Sequence, residues 1–352
     1  MNRLSVLRYR HAAQGLDRPD GRRPLLDLGV QDTPPGSALV ALTARGAGTE
    51  DTTAVWSHRG APHLHRREDL PGLAAALLPH SSADALARMA GAAPTLKAAG
   101  VDGQEAVGAV AAAMREATTE PRTKGELSAL VTAAVDDAYA YHCKGCDSVH
   151  VYESLFRLGA LPAGLVITPG SRPLTFTRIE EWTVPTAPAG TGELIARFLA
   201  FTGPSTHADT AAFLGTAPPR LAEFWPGDLT EVDVDGRRAF LPGDLVDAVE
   251  KAERPSAVRL LPPTDAFLLG DRELLLPDKT RRGELFKNLS RRGALLVDAE
   301  ITGHWQMRTA GKRLDVTVTP FTGLDAETRR RVESEAGLLA TARGLADVRV
   351  TF

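Results

Sequence analysis

The sequence is poor in cysteine, in long apolar runs and in net charge. Only two of its 352 residues are cysteines. That is too few for the disulfide framework of a small secreted domain, so we expect a reducing cytoplasm. No apolar stretch reaches the length of a membrane helix, and the first residues, Met1–Ser5, contain no secretory apolar core. We therefore expect a cytoplasmic protein without a membrane partner.

The length and composition are those of a globular protein with several domains. A chain of 352 residues is too long for one ordinary hydrophobic core, so about two to four small domains are expected. Apolar residues make up 43% of the chain and charged residues 24%, which are ordinary values. The net charge of −3 argues against a surface coated in basic residues, so any polyanion would have to bind to a local basic region.

One order of elements recurs three times along the chain: two or three short helices followed by a β-hairpin. This order is typical of the winged helix-turn-helix, and tandem copies make nucleic acid the first partner to consider. We predict an α+β fold of tandem winged helix-turn-helix modules with a C-terminal β-rich domain closed by a helix. The predicted boundaries are 1–100, 101–185 and 186–255 for the modules and 256–352 for the last domain.

Turn and capping patterns support this division. Asp235-Gly236 lies between two alternating strands, and both central residues of a type I′ hairpin turn need positive φ. Thr123 with Glu126, and Thr206 with Asp209, place a hydroxyl three residues before a carboxylate, as at a capped helix start. Helices are predicted at Pro24–Val30, Ser148–Leu161 and Ala326–Leu339, and strands at Val258–Leu269 and Leu274–Leu276.

Two regions are candidates for contact with DNA. Between Asp271 and Arg313, ten basic residues stand against six acidic ones, a local charge of +4 that favours contact with phosphates, although a solvated loop explains any single residue equally well. In the first predicted hairpin, alternation places two histidines on one face, where they could contact DNA or belong to a partly exposed strand pair. The candidate DNA-binding residues are Arg59, His63, His65, Arg281, Arg282, Lys287, Arg291 and Arg292.

Several short segments, taken in order, resemble landmarks of the AlkZ-like winged-helix DNA glycosylases. Each segment alone has low specificity, and the correct order of all of them carries the resemblance. They cover nearly the whole chain: Leu28–Asp32, Arg59–Leu64, Leu158–Leu165, Ala200–Thr206, Val232–Arg237, Arg259–Gly270, Val297–Asp298, Gly303–Trp305 and Pro320–Phe321.

The resemblance implies hydrolysis of the N-glycosidic bond of alkylated purines in double-stranded DNA. Bulky N7-alkylguanine adducts and interstrand crosslinks are the substrates it implies, including lesions made by DNA-damaging antibiotics. Alkylation at N7 gives the base a positive charge and makes it a good leaving group. The enzyme then needs mainly to position a water at the anomeric carbon and to stabilise an oxocarbenium-like transition state. No cofactor is needed for this chemistry.

In the family, a Gln-apolar-Gln or Gln-apolar-Asp triplet at the end of an N-terminal helix does this work. The corresponding residues here are Gly29-Val30-Gln31, so the second position matches and the first is glycine. The resemblance makes Gln31 the candidate catalytic residue, with Asp32 as a neighbour that could compensate. Restoring the amide by Gly29→Gln should raise activity unless the glycine is needed for positive φ. The alternative for Gln31 and Asp32 is an ordinary helix C-terminus followed by a turn.

A possible metal site follows the second helix of the middle module. Cys143-x-x-Cys146 with His150 offers three ligands of the kind that bind tetrahedral zinc, and His142 or Glu153 could supply a fourth. Such a zinc would be structural. The alternatives are a redox pair, for which no thioredoxin-like context exists, and two buried thiols that pack as small hydrophobic groups.

Two classes of function remain open from the sequence. The first is a monofunctional DNA glycosylase in repair or antibiotic self-resistance. The second is a DNA-binding protein without catalytic activity, either a lesion sensor or a transcription factor. A regulator usually dimerises. Because the sequence has no heptad seam, we expect a monomer, which favours the first class. We expect this monomer to be associated with the nucleoid.

Overall fold

The computed structural model describes residues 1–18, 23–287 and 291–352. Its backbone forms two compact units. The first unit comprises Met1–Glu50, Ala196–Asp209 and Pro226–Phe352, and the second comprises Asp51–Ile195 and Thr210–Trp225. Both units mix helices with strands, which confirms the α+β class. Within the described ranges, none of the helices has the length and apolar character needed to cross a membrane.

Most of the α-helices are short. Only α6 and α14 exceed twelve residues among those that the described ranges contain. The helices are α1 (Arg3–Ala13), α2 (Ser37–Thr43), α3 (Leu70–Ala76), α4 (Ser82–Arg88), α5 (Ala93–Ala98), α6 (Gly103–Ala117), α7 (Lys124–Ala134), α8 (Glu153–Ala160), α9 (Thr191–Thr202), α10 (His207–Leu214), α11 (Val246–Glu250), α12 (Arg272–Leu275), α13 (Lys279–Leu285) and α14 (Ala326–Ala342).

The strands form hairpins and small sheets, except in the C-terminal part of the chain. There, five strands pair in the order β11-β12-β13-β14-β15. The strands are β1 (Val30–Gln31), β2 (Thr52–Trp56), β3 (Pro62–Arg66), β4 (Arg122–Thr123), β5 (Ala140–Cys143), β6 (Ser148–Val151), β7 (Leu165–Ile167), β8 (Thr175–Arg178), β9 (Leu229–Val234), β10 (Arg237–Pro242), β11 (Val258–Leu261), β12 (Gly293–Val297), β13 (Glu300–Ala310), β14 (Arg313–Pro320) and β15 (Asp347–Thr351).

The core of the second unit lies around α6 and α8. The edges of the Phe156 and Phe176 rings face the Trp56 indole, with ring centroids 5.9 and 4.7 Å away, a favourable aromatic geometry. The helix α7 begins with the predicted capping box: Thr123 Oγ1 accepts from the amide of Glu126, and the Glu126 carboxylate accepts from the amide of Thr123. The predicted start of this helix is therefore confirmed.

The predicted helix Ser148–Leu161 is wrong in its first half. Ser148–Val151 forms β6, which pairs antiparallel with β5 in the register Cys143 to Ser148, and the helix α8 begins only at Glu153. The physical reason is local: valine and histidine alternate here, and a preceding strand of matching length lies one tight turn away. A hairpin therefore separates α7 from α8.

In the first unit, α14 packs on the five-stranded sheet. Leu339 and Ala336 of this helix lie in one buried cluster with Val316 of β14 and Trp305 of β13. The helix begins at Asp325, whose side chain accepts from the amide of Thr328, so the predicted helix Ala326–Leu339 is confirmed.

Two predicted strands in this unit are wrong. The strand expected at Val258–Leu269 ends at Leu261, because two prolines follow and lack the amide that a strand ladder needs, and Ala266–Leu268 is a 3₁₀ turn. The segment Leu274–Leu276 belongs mostly to the helix α12, which Asp271 caps by accepting from the amide of Glu273. A capping aspartate therefore outweighs the β-like pattern of three consecutive leucines.

Candidate active site

The segment that carries Gln31 is extended and is not a helix end. A 3₁₀ turn covers Pro24–Asp27, and Gly29 then adopts φ +84° while its amide donates to Leu26 O at 3.3 Å. The following strand β1 contains Val30, which is buried, and Gln31, which is half-buried. The predicted helix Pro24–Val30 is therefore wrong, because a buried glycine in the left-handed region breaks it one residue before β1.

Asp32 organises the start of α2. Its Oδ1 accepts hydrogen bonds from the amide of Gly36 at 2.8 Å and the amide of Ala38 at 2.9 Å. These amides belong to the first turn of α2 and have no partner within the helix. The carboxylate therefore fixes how the chain passes from Gln31 into α2.

A cavity of about 690 Å³ opens beside the loop that follows Asp32. Its walls come from four separated parts of the first unit: residues 34, 35, 37 and 40, residues 262 and 263, residues 291 and 293, and residues 305–308, 315 and 317 of the hairpin β13–β14. Four of these lining residues are prolines, so the walls are rigid and largely apolar. A volume of this size is typical of a pocket for a small molecule.

Charged side chains stand at the same cavity. Arg291 is exposed and lines it together with Arg308 and Asp315. The guanidinium groups of Arg313 and Arg308 donate to the two carboxylate oxygens of Asp315 at 2.8 and 3.2 Å. These hydrogen bonds, that from Arg313 above all, lower the pKa of Asp315 and keep it ionised.

In the basic stretch between Asp271 and Arg313, some side chains are held by other residues and others are exposed. Arg282 donates to Leu276 O and Pro277 O, and Arg292 donates to Glu284 O. Arg281 lies over the Phe321 ring at 5.5 Å, with its Nε 3.7 Å from an oxygen of Asp278. Lys287 and Arg291 are exposed.

The histidines of the first hairpin lie on one face, and that face is buried. His63 and His65 are 4% and 2% exposed, and they surround His58 with ring centroids 5.3 and 6.0 Å from it. His63 Nδ1 donates to Ala61 O, and burial lowers the pKa of His63 to about 3. Burial also lowers the pKa of His65 well below its ordinary value. These side chains therefore stay neutral at physiological pH.

Arg59 occupies the corner of the same hairpin. It is exposed and adopts φ +56°, which few residues other than glycine adopt, and its Nη1 donates to Phe213 O at 3.0 Å. This hydrogen bond within the second unit fixes the orientation of Arg59 at the hairpin turn.

The predicted cysteine and histidine ligands meet at the tip of the hairpin β5–β6. The ligand atoms of Cys143, Cys146 and His150 all lie within 4.8 Å of one another. Cys146 Sγ lies 2.8 Å from His150 Nε2, and a hydrogen bond from Cys146 lowers the pKa of Cys143. A lowered thiol pKa favours the thiolate that binds metal.

The two candidates for a fourth ligand have other partners. His142 lies on the opposite face of β5 from Cys143 by strand alternation, and its Nε2 is 3.2 Å from an oxygen of Asp147. Glu153 Oε1 accepts from Lys124 at 2.8 Å and from Arg157 at 2.7 Å. Among the described residues, the structure therefore brings together the three candidate ligands Cys143, Cys146 and His150.

Sequence reasoning missed the cavity whose wall begins at Pro34. Its lining residues come from positions near 35, 262 and 306, and nothing in the local sequence connects them. Two proline pairs could have indicated the wall of the cavity. Pro34-Pro35 follow the family-like segment Leu28–Asp32, and Pro262-Pro263 lie within the family-like segment Arg259–Gly270.

A short strand bearing Gln31, a cavity beside the loop that follows Asp32, and basic side chains that line this cavity all lie in the first unit. The chain belongs to the family described as DNA glycosylase AlkZ-like, whose sequence pattern matches residues 28–342. This match includes both Gln31 and the lining of the cavity.

Two comparisons place the chain near a protein of Streptomyces sahachiroi. An interstrand DNA cross-link repair glycosylase of that organism is 29% identical over 164 residues, which are 43% of this chain and 42% of the relative. The aligned part thus spans less than half of the relative's length. The solved structure of Streptomyces sahachiroi DNA glycosylase AlkZ covers 100% of both chains at a TM-score of 0.74 and 21% identity, which shows a shared fold.

Proposed function

We propose that this protein is a monofunctional DNA glycosylase that hydrolyses the N-glycosidic bond of bulky N7-alkylated purines, including crosslinked ones, in double-stranded DNA. Its role is DNA repair or self-resistance to an alkylating antibiotic, and it acts as a monomer associated with the nucleoid. The observation that carries this proposal is the cavity of about 690 Å³ whose wall begins two residues after Asp32. The volume accommodates a purine with a large substituent.

The chemistry assigned to the site needs few groups. The alkylated base leaves as a neutral species, so no acid has to protonate it. The Gln31 amide holds a water against the anomeric carbon, and its carbonyl oxygen accepts a hydrogen bond from that water. As the water's oxygen bonds to the anomeric carbon, the bond to the base breaks and the water's proton passes to solvent. The oxocarbenium-like transition state gains from a water fixed in advance, since positioning contributes several kcal/mol of the barrier, on the order of 7–11 kcal/mol at best.

The second candidate function is a lesion-binding protein without catalysis. It is favoured by Gly29, a buried residue at φ +84° that stands where the family carries an amide side chain. A single water-holding amide then remains, and Asp32 directs one carboxylate oxygen to the start of α2.

Base release from defined DNA distinguishes the two functions. A duplex with one N7-benzylguanine is incubated with the protein, and abasic sites are counted after alkaline cleavage, with unmodified duplex as control. The glycosylase proposal expects abasic sites that accumulate with enzyme concentration. Tight binding of the modified duplex without any abasic sites would replace it with the lesion-binding protein.

We also propose the finer architecture as tandem winged-helix modules, with the predicted divisions at 1–100, 101–185, 186–255 and 256–352. Helices precede a hairpin at two places along the chain, since α7 and α8 come before β7–β8, and α9 and α10 come before β9–β10. The exposed Lys287 and Arg291 are the side chains of the basic stretch best placed to reach DNA phosphates, together with Arg59 at its hairpin corner.

A structural zinc at Cys143, Cys146 and His150 completes the proposal. It is supported by the convergence of three ligand atoms and by the lowered pKa of Cys143. Thiolate and imidazole are the ligands that tetrahedral zinc prefers. The zinc would fix the turn between β5 and β6 and has no part in base release.

A further inference from the structure

The segment that carries Gln31 leads into α2, and hydrogen bonds hold both ends of this helix. Asp32 accepts from the first amides of α2, as described above. Just beyond the other end of α2, Arg45 turns back and donates from Nη1 to Ala41 O at 2.9 Å. The position of Gln31 therefore depends on how firmly α2 and Arg45 are held.

Arg45 is held by a buried ion pair. Its two terminal nitrogens donate to the two carboxylate oxygens of Asp265 at 2.9 and 2.8 Å, and the side chains are 2% and 0% exposed. The Arg45 Nε also donates to Gln14 O at 2.8 Å. A bidentate pair of this kind fixes both orientation and distance, and removing one partner would leave a buried charge.

The residue before Asp265 closes the ring of contacts. Thr264 Oγ1 donates to Thr33 O at 2.7 Å, and Thr33 lies two residues after Gln31. The contacts therefore run from Asp32 through α2 to Arg45, then to Asp265, and from Thr264 back to Thr33. One hydroxyl therefore joins the Gln31 segment to the residue next to the buried Arg45–Asp265 ion pair.

We propose that Thr264 is a positioning residue for Gln31. The buried ion pair with Arg45 fixes Asp265, the next residue along the chain. The Thr264 hydroxyl then holds the backbone at Thr33 so that the Gln31 amide keeps its distance to the attacked carbon. This inference rests on the proposed glycosylase function. Displacing a catalytic group by about 1 Å can cost about a hundredfold in rate, so a single backbone hydrogen bond can control the reaction without contacting the substrate.

The matched variants are Thr264→Val, which keeps the shape and removes the hydroxyl, and Thr264→Ser, which restores it. Single-turnover base release and the dissociation constant for the modified duplex are measured for both. For the valine variant we expect a release rate lowered about tenfold with a dissociation constant within about twofold of the parent. The serine variant should restore the rate. A valine variant as fast as the parent, or serine as slow as valine, would overturn the inference.

Hydrogen exchange tests the same inference without any activity. In the valine variant, amides of residues 30–38 should exchange about tenfold faster, while the peptides of α14 and of the second unit stay unchanged, and serine should restore protection. Unchanged exchange at residues 30–38 would overturn the positioning role even in a protein that releases no base. Failure of the parent protein to release base, with this exchange pattern present, would reject only the proposed function.

Discussion

Gly29 stands where the related family carries a glutamine, and its φ of +84° lies in the region that glycine adopts most easily. The sequence suggests that Gly29→Gln could restore a lost amide. The structure argues against that at the residue scale, because a long polar side chain would have to be buried at a strained backbone position.

We expect Gly29→Gln and Gly29→Ala to lower the free energy of unfolding by about 1–2 kcal/mol, the cost of a side chain in the left-handed region. Gly29→Asn is the matched control, since asparagine tolerates this conformation better. Thermal melts of the three variants check the prediction, with base release measured in parallel. A Gly29→Gln variant that melts with the parent and releases base faster would show that the glycine is dispensable and that the missing amide limits the rate.

At the scale of elements, the hairpin β5–β6 is where sequence and structure differ most usefully. The sequence predicts the ligand pattern but not the hairpin that carries it. Its prediction places Ser148–Val151 in the following helix, whereas these residues form β6. The hairpin places Cys143 and His150 on one face and His142 on the other. Substitution of His150 can therefore be compared with substitution of His142 on the opposite face.

We expect zinc in about one-to-one ratio with the protein purified without a histidine tag. Cys143→Ser and His150→Gln should lose the metal and lower the melting temperature, because zinc binding is part of the folding free energy of such a turn. His142→Gln is the control on the opposite face and should keep both. Elemental analysis and melts with and without chelator check this. Only traces of zinc, together with a melting temperature that chelator does not change, would contradict the zinc site and would make Cys143 and Cys146 ordinary thiols.

At the scale of the whole molecule, buried neutral histidines make stability depend on pH. Burial lowers the pKa of His11 to about 4, helped by the charges of Arg259 and Arg45, and lowers that of His63 to about 3. In the unfolded chain both titrate near 6.5. Because the unfolded state binds more protons below that value, their contribution to stability is present above pH about 6.5 and is lost as the pH falls towards 4.

We therefore expect the free energy of unfolding to fall between pH 6.5 and 5 by up to about 1.4 kcal/mol per pH unit for each such histidine. Urea unfolding at pH 7, 6 and 5 measures the slope. His11→Leu is the informative variant, since His11 is 1% exposed and its Nε2 has no hydrogen-bond partner among the described residues. The free energy of unfolding of this variant should fall less steeply as the pH falls, because the contribution of one histidine is missing. Equal slopes for variant and parent would mean that His11 does not titrate on unfolding.

How much the sequence could predict depends on the range of the interactions involved. Local signals worked: the Thr123 capping box, the Asp235-Gly236 turn and the amphipathic α14 all lie where expected. Some elements were not predicted, among them α3 to α5, although Ser81 caps the start of α4, and β15, which pairs in parallel with β14.

The candidate site was only partly accessible from sequence. The resemblance predicts Gln31 as the catalytic residue, and this stays a prediction, while the local sequence did not predict that Gly29 adopts a left-handed conformation. The buried state of His63 and His65 also depends on what covers their face of the hairpin. The cavity and the Thr264 contact join segments more than two hundred residues apart, and such contacts follow only from the fold.

The most direct test of the central claim is base release by the Gln31→Ala variant. The assay uses the duplex with a single N7-benzylguanine under single-turnover conditions, with Gln104→Ala in the second unit as a chemically matched control. The account predicts that Gln31→Ala abolishes base release while its melting temperature and its affinity for the duplex stay close to those of the parent, and that Gln104→Ala keeps full activity. Full base release by Gln31→Ala would contradict the account and would make Asp32 the next residue to test.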